Sequence, residues 1–276
     1  MFRGFYTAAS GMLAQQRTME MLTNNLANTN TPGYKADQNS LRAFPEMLIS
    51  HLQKGQAPSR TDMRPVGSIN TGVYMQEATP NFEQGVIKAT GLTTDLALEN
   101  GIMPVSDEGI LGSIFFTIEN PDEAGGNFYT RNGNFTLDAN GFLTTASGHF
   151  VLDVNGNRIQ LTSPEFQVLD DGWIIENGEP VARLGIALAE NPNELVKEGN
   201  GFYSLTTGAA LPSAYDADGV TFSVRQAALE QSNVDPTQTM TSMLNAFRTF
   251  EANQKVLQAY DRSMDKAVNE IGKIGP

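Results

Sequence analysis

The chain has 276 residues, 40% of them hydrophobic and 18% charged, which is typical of a folded globular protein. It has no cysteine, which excludes disulfides, thiolate catalysis and cysteine-ligated metals. Its net charge of −13 argues against nucleic acid as a partner, because phosphate contacts need clusters of Lys and Arg. No apolar run approaches the roughly 20 residues that span a bilayer. Arg3 and Ser10 interrupt the first apolar stretch, so no cleaved signal peptide is predicted.

The charge is distributed unevenly along the chain. Residues 1–65 hold seven Lys and Arg against four Asp and Glu, and residues 226–276 hold five against six. Residues 66–225 hold six against 21, so the acidic charge is confined to the middle. This pattern predicts a solvent-exposed middle that resists side-to-side association, and near-neutral ends that pack closely against other surfaces.

The first predicted element is a helix over residues 3–28. Its apolar residues recur every seven positions, at Phe5, Met12, Met19 and Leu26. The helix is predicted to end in an amide-rich stop, because the residue before Pro32 is pushed out of the α region and Gly33 readily takes positive φ.

The last predicted element is a helix from residue 236 to about residue 272. Asp235 is a good N-cap and Pro236 suits the first helical position. An apolar row again recurs every seven residues, and a second row three residues earlier supports it; the seam residues are Met243, Phe247, Phe250, Leu257, Met264 and Ile271. The two terminal helices are predicted to form a coiled-coil-like core and to complete their burial against other subunits.

Between the helices the sequence is typical of β structure. Six Asn-Gly dipeptides, each a strong hairpin signal, separate short runs that favour strands. These runs predict a mainly β, hairpin-rich domain of barrel or sandwich type. The predicted class is therefore α+β, with four parts: an N-terminal assembly helix and stop (1–35), an extended arm with a short helix near residues 40–55 (36–89), the β domain (90–225) and a C-terminal assembly helix (226–276).

No catalytic, metal or cofactor site is predicted. The two histidines, His51 and His149, are far apart in sequence, and the motifs of phosphate-binding loops and hydrolases are absent. Asp170 and Asp171 precede Trp173, a pattern that suggests a carboxylate beside an aromatic sugar platform, although an acidic pair before glycine usually forms a turn. One alternative function is therefore a secreted β-domain adhesin or a carbohydrate- or peptidoglycan-binding protein; a cytoplasmic coiled-coil scaffold is another.

Four sequence blocks resemble the bacterial flagellar basal-body rod and hook proteins. The N-terminal block matches the family's assembly motif, here Asn24, Asn25, Ala27, Asn28, Thr31, Pro32, Gly33 and Tyr34. The others are Tyr129 to Leu143, a C-terminal helix entered through Ser232-Asn233-Val234, and "TTDLALENGIMPV". The last departs from the family, which usually has Gly-x-Gly-Phe-Phe where this chain has Glu99-Asn-Gly-Ile-Met.

The resemblance implies a structural subunit that is not an enzyme and needs no cofactor. Such proteins leave the cell uncleaved through the flagellar type III export apparatus and polymerise into the hollow rod that transmits torque. Their terminal helices form the inner tube and the β domain lies outside. The implied partners are copies of the chain, other rod and hook proteins and the export apparatus, in an exported basal body near the cell wall. The segment after Tyr34 is more similar to proximal rod proteins, and the long arm to distal ones; we favour the proximal rod.

Overall fold

The computed structural model describes residues 3–51, 64–106, 109–121 and 126–271. The chain divides into two compact units. Unit 1 comprises Met1–Leu26, Asp37–Thr79 and Pro236–Pro276, and unit 2 comprises Ala27–Ala36 and Pro80–Asp235. The chain therefore passes between the units four times. The four-part division predicted from the sequence stays a prediction.

Unit 1 contains the two α-helices of the described residues. Helix α1 spans Arg3–Ala27; helix α2 spans Pro236–Lys266 and continues into a π-helical turn at Ala267–Ile271. The strands of unit 1 are β1 (Asp37–Ala43), β2 (Met47–His51), β3 (Arg64–Ile69) and β4 (Val73–Pro80). Strand β1 pairs with β4, and β2 runs antiparallel to β3. The short helix predicted near residues 40–55 is wrong, because the described part of that segment forms β1 and β2.

The two helices are antiparallel neighbours that approach each other through small and polar residues. A Cβ added to Gly11 would lie 2.9 Å from the side-chain nitrogen of Asn253, and Gly4 lies against the Tyr260 hydroxyl. The Thr23 hydroxyl donates to the sulfur of Met243 at 3.8 Å. The buried helix residues are Ala8, Ala14, Leu22, Asn25, Thr239 and Ala246.

The predicted α+β class with a coiled-coil-like helical core is wrong. The described residues form eighteen strands and only two α-helices, so the chain is mostly β. None of the predicted seam side chains that the structure describes is fully buried: Phe247 is exposed, and Phe5, Met12, Met19, Leu26, Met243, Phe250, Leu257 and Met264 are half-buried. The side chain of Ile271 lies outside the described residues. A seven-residue spacing places residues on one face of a helix, but it does not provide a neighbouring surface that buries them.

Unit 2 is built from short antiparallel strands. They are β5 (Ile87–Ala89), β6 (Leu96–Asn100), β7 (Ser113–Ile118), β8 (Phe128–Thr130), β9 (Phe135–Leu137), β10 (Leu143–Thr145), β11 (Gln167–Val168), β12 (Trp173–Glu176), β13 (Glu179–Arg183), β14 (Ile186–Ala189), β15 (Leu195–Gly199), β16 (Phe202–Leu205), β17 (Phe222–Gln226) and β18 (Ala228–Glu230). The largest sheet has the order β14-β7-β8-β16-β15, and smaller sheets are β9-β10, β11-β12-β13, β6-β17 and β5-β18.

The core of unit 2 covers both faces of the five-stranded sheet. On β7, Ile114 and Phe116 belong to the larger apolar cluster, while Phe115 belongs to a second cluster with Tyr129 and Tyr203. This explains the unbroken apolar run at residues 114–116 of β7, since a strand buried on both faces has no polar side. The sheet therefore provides a rigid base for the segments that end beside it.

Two of the six Asn-Gly dipeptides form two-residue hairpin turns, and Asn140-Gly141 lies in the longer loop of the β9–β10 hairpin. Asn177 and Gly178 join β12 to β13, and Asn200 and Gly201 join β15 to β16, with positive φ at all four residues. Two-residue turns of this kind match the right-handed twist of the flanking strands.

Candidate functional site

The amide-rich stop forms a strap in unit 2 whose last part is buried. The strap, residues 28–36, follows the end of α1 and begins with a turn in which the Thr31 N–H donates to the Asn28 carbonyl at 3.1 Å and the Thr31 hydroxyl donates to the Asn28 side chain at 3.2 Å. Gly33, Tyr34 and Lys35 are buried. The strap is thus part of the β unit rather than a free extension of the helix.

Gly33 makes the closest approach of the strap to the rest of unit 2. Its φ is 68°, and its N–H donates to the carbonyl oxygen of Glu230 at 2.8 Å. A Cβ at this position would lie 2.5 Å from the backbone nitrogen of Asn132 and against the carbonyl carbon of Arg131. Both the positive φ and the lack of space therefore require glycine.

A buried charge cluster fixes the end of the strap. Lys35, from the strap, donates from Nζ to Glu230 Oε1 at 2.7 Å, and Arg131, just after β8, donates from Nε to Glu230 Oε2 at 2.8 Å. Glu230 is the last residue of β18. Each of the three side chains is at most about 1% exposed. Residues separated by about a hundred positions along the chain thus share one buried carboxylate.

Further hydrogen bonds satisfy the remaining polar atoms of the charge cluster. Lys35 Nζ also donates to the Glu83 carbonyl at 2.7 Å, and the Gly85 N–H donates to Glu230 Oε1 at 2.8 Å. Arg131 donates from one terminal nitrogen to the Asn100 side chain and the Ile114 carbonyl, both at 2.9 Å, and from the other to the Leu98 carbonyl at 3.4 Å. Buried ions require such partners, because desolvation otherwise costs several kcal/mol per ion.

The cluster holds two cations and one anion, and this imbalance affects its titration. Burial and then the charge of Arg131 lower the pKa of Lys35 to about 8, against the opposing attraction of Glu230. Burial alone would raise the pKa of Glu230, but the charges of Arg131 and Lys35 hold it below its usual value. The carboxylate is therefore ionised at neutral pH and links the two cations.

The predicted assembly motif is shared between the two units. Asn24 and Asn25 belong to unit 1, and the remainder, Ala27, Asn28, Thr31, Pro32, Gly33 and Tyr34, belongs to unit 2. Asn25 is buried and makes two hydrogen bonds with the backbone of Asp37, one donated to its carbonyl at 2.8 Å and one accepted from its N–H at 2.9 Å. Tyr34 is buried beneath Lys197, whose Nζ lies 4.3 Å from the ring centroid.

Four polar residues near the blocks that carry the family resemblance were not predicted as functional. Lys35, Arg131, Glu230 and Asn233 each lie in or beside one of the blocks that carry the family resemblance, but none was assigned a role. The available signal was that charged and amide side chains occur in or beside the blocks that carry the resemblance. Their pairing could not be read from spacing, because the partners come from distant parts of the chain.

The acidic pair near Trp173 is a turn. The Trp173 N–H donates to the Asp171 side chain at 3.4 Å, and the Leu169 carbonyl accepts from the Gly172 N–H at 2.9 Å. The guanidinium of Arg183 lies 5.8 Å from the Trp173 ring and 3.6 Å from the Tyr215 ring. Within the described ranges, no three His, Asp or Glu side chains are grouped so that they could hold a metal ion. Neither described helix is long and apolar enough to cross a membrane.

Three family descriptions match separate parts of the chain. Residues 5–35 match "Flagella basal body rod protein", residues 109–179 match "Flagellar hook protein FlgE/F/G D1 domain" and residues 225–270 match "Flagellar basal body rod FlgEFG protein C-terminal". The first and last include Lys35 and Glu230, and the middle one includes Arg131. The charge cluster therefore takes one residue from each matched segment.

Full-length relatives are similar along the whole chain. The flagellar hook-basal body complex protein FlhO of Bacillus subtilis is 45% identical, over 99% of this chain and 100% of its own. The flagellar basal-body rod protein FlgG of Borreliella burgdorferi is 32% identical, with 98% of each chain covered. The flagellar basal-body rod protein FlgF of Caulobacter vibrioides is 28% identical over 99% of this chain and 100% of its own. These relatives give no support to a carbohydrate-binding adhesin.

Proposed function

The chain belongs to the flagellar basal-body rod protein family, and on that premise we propose that it polymerises through its terminal helices into the axial rod. It is a structural protein of the flagellar basal body and not an enzyme. Its partners include other rod and hook proteins. The role of the terminal helices follows from the family resemblance and is supported by their exposed faces.

An exposed apolar face on α2 carries the proposal. Met240, Leu244 and Phe247 are 49%, 57% and 49% exposed. Their spacing of four and three residues places them on one side of the helix. On α1, Tyr6 and Leu13 lie seven residues apart and are 66% and 57% exposed. Apolar faces of this kind usually mark contacts with another protein, and helices gain most of their stability from such packing.

The predicted site residues receive roles in this proposal. The seam residues Phe5, Met12, Met19, Leu26, Met243, Phe247, Phe250, Leu257, Met264 and Ile271 contribute to contacts between subunits. The assembly motif from Asn24 to Tyr34 directs the chain from the α1 helix into unit 2. We propose the same functional division as in the sequence: assembly helices at 1–35 and 226–276, an arm at 36–89 and a solvent-facing β domain at 90–225.

Export and position within the rod are further parts of the proposal. The subunit reaches the rod uncleaved through the flagellar type III export apparatus and lies close to the cell wall. The acidic middle of the sequence supports an outward-facing β domain, because like charge discourages lateral association. We favour the proximal rod over the distal rod.

Deletion of the gene, followed by electron microscopy of isolated basal bodies, tests the proposal. A missing or shortened rod without hook and filament is expected, and the point at which the rod ends distinguishes a proximal from a distal position. Complementation with the wild-type gene should restore the rod. Intact flagella on motile deletion cells would contradict the proposal.

A further inference from the structure

One amide side chain in unit 2 joins three separate chain segments. Asn233 Oδ1 accepts from the Ala36 N–H at 2.8 Å. Asn233 Nδ2 donates to the Asn81 carbonyl at 2.8 Å and to the Glu83 carbonyl at 3.1 Å. The Asn81 N–H donates in turn to the Ala36 carbonyl at 2.8 Å. We call this group of residues, Ala36, Asn81, Glu83 and Asn233, the Asn233 junction.

The Asn233 junction lies at three of the four places where the chain passes between unit 1 and unit 2. Ala36 is the last residue of the strap before unit 1 resumes at Asp37. Asn81 follows the residue at which the chain returns to unit 2, and Asn233 comes two residues before the final exit at Asp235. The Asn233 side chain therefore hydrogen-bonds to the backbone of unit 2 at the other two of these three places.

The junction is attached to rigid parts of unit 2. Phe82, next to Asn81, is buried with its ring centroid 5.7 Å from that of Phe115 and 5.5 Å from that of Tyr203. Val234, next to Asn233, is also buried. The Glu83 carbonyl accepts from both Asn233 and Lys35, so the junction and the charge cluster share a backbone group.

We propose that Asn233 is a positioning residue for assembly, which fixes the spacing of the three chain ends that lead into unit 1. The side-chain amide suits this role because it offers one acceptor and two donors in a fixed plane. Tension on one of the three segments is thereby shared with the other two. The assembly part of this inference rests on the proposed rod function, whereas the hydrogen-bonded junction does not.

Hydrogen exchange of the purified full-length chain tests the junction, with Asn233→Ala as the main variant. Peptides that cover residues 33–37 and 80–84 are expected to exchange at least tenfold faster, while peptides from β7 and β14 stay unchanged. Asn233→Asp keeps the acceptor for the Ala36 N–H but replaces the donor, so it should retain protection of the Ala36 amide and lose the tie to residues 81 and 83. Asn157→Ala is the matched control, since this exposed amide makes only a 3.4 Å contact with Asp153 through its side chain.

Complementation of the deletion strain tests the positioning role. Asn233→Ala is expected to give at least tenfold fewer rods than Asn157→Ala, with both purified variants melting at similar temperatures. The inference would be overturned by unchanged exchange at residues 33–37 or by uniformly faster exchange throughout unit 2. It would also be overturned if Asn233→Ala gave normal rod numbers despite faster local exchange. Failure of the wild-type gene to restore rods would instead count against the rod function, and the exchange result would still decide whether the junction exists.

Discussion

Unit 2 buries many large apolar side chains in its core, whereas the described residues of unit 1 bury few of them. Phe115, Phe116 and Ile114 on β7 have no exposed surface, but Leu13 and Leu244 on the helices are more than half exposed. A unit that completes its own core is stable as a monomer, while helices with uncovered apolar faces depend on neighbours. The comparison shows that unit 2 has its own apolar core, and it supports the proposal that the helices of unit 1 take part in assembly.

Removal of the shared carboxylate should have the largest effect on unit 2. Glu230→Ala leaves Lys35 and Arg131 buried without their anion, and such a loss costs about 3–5 kcal/mol of unfolding free energy. Denaturant unfolding followed by the fluorescence of Trp173, the single tryptophan, measures it. The control is Glu119→Ala, which breaks the partly exposed 2.8 Å pair with Arg158 and should cost under about 1 kcal/mol. Equal losses in the two variants would contradict the role of the cluster.

A methyl group at Gly33 should have the next largest effect. Gly33→Ala combines positive φ with a clash against Arg131 and Asn132, so we expect a loss of about 3 kcal/mol. Gly156→Ala is a close control, because its φ is 81° but a Cβ there meets open space, and it should cost about 1 kcal/mol. Similar losses would show that the strap can move away from Arg131 at little cost.

Raising the pH should stabilise unit 2 by an intermediate amount. Because the pKa of Lys35 is lowered to about 8 in the folded chain, the unfolded chain binds more protons at higher pH, and the unfolding free energy rises. We expect a gain of about 2 kcal/mol between pH 7 and pH 9.5, relative to Lys35→Met. If the unfolding free energies of the wild type and Lys35→Met changed with pH in the same way, the lowered pKa of Lys35 would be contradicted.

A charge on the exposed face of α2 should have the smallest effect on the monomer. Phe247→Asp is expected to change the unfolding free energy by less than about 0.5 kcal/mol, because the side chain is half exposed. In cells the same change should prevent rod assembly, since it would bury an unpaired charge between subunits. Phe247→Leu keeps the apolar surface and should assemble. Normal rods with Phe247→Asp would remove this residue from the subunit contact.

Local features of the fold could be predicted from local sequence. Asp235 and Pro236 mark the start of α2, which begins at Pro236, and Asn177-Gly178 forms the expected hairpin turn. The same dipeptide at Asn132-Gly133 serves another purpose: Gly133 has no positive φ, and a Cβ there would collide with the Leu96 carbonyl. The glycine of an Asn-Gly dipeptide can therefore be required for its positive φ or for lack of space, and only the tertiary structure distinguishes the two.

Long-range features could not be predicted from the sequence. The seven-residue spacing predicted a coiled-coil-like seam, but it could not show that glycine and polar residues line the approach of α1 to α2. Likewise, Lys35, Arg131 and Glu230 have no periodic relation to one another. Their pairing depends on the path of the strap, which burial and close packing determine.

The noncontiguous make-up of unit 2 has a consequence for dissecting the protein. A fragment covering Pro80–Asp235 would contain the sheets but would lack the strap, so Glu230 would retain Arg131 and lose Lys35. The strap therefore behaves like an intramolecular ligand with a prepared receptor. A synthetic peptide of residues 27–36 should bind such a fragment in trans. The fragment and the peptide would then form a split-protein reporter whose reassembly depends on Lys35 and Gly33.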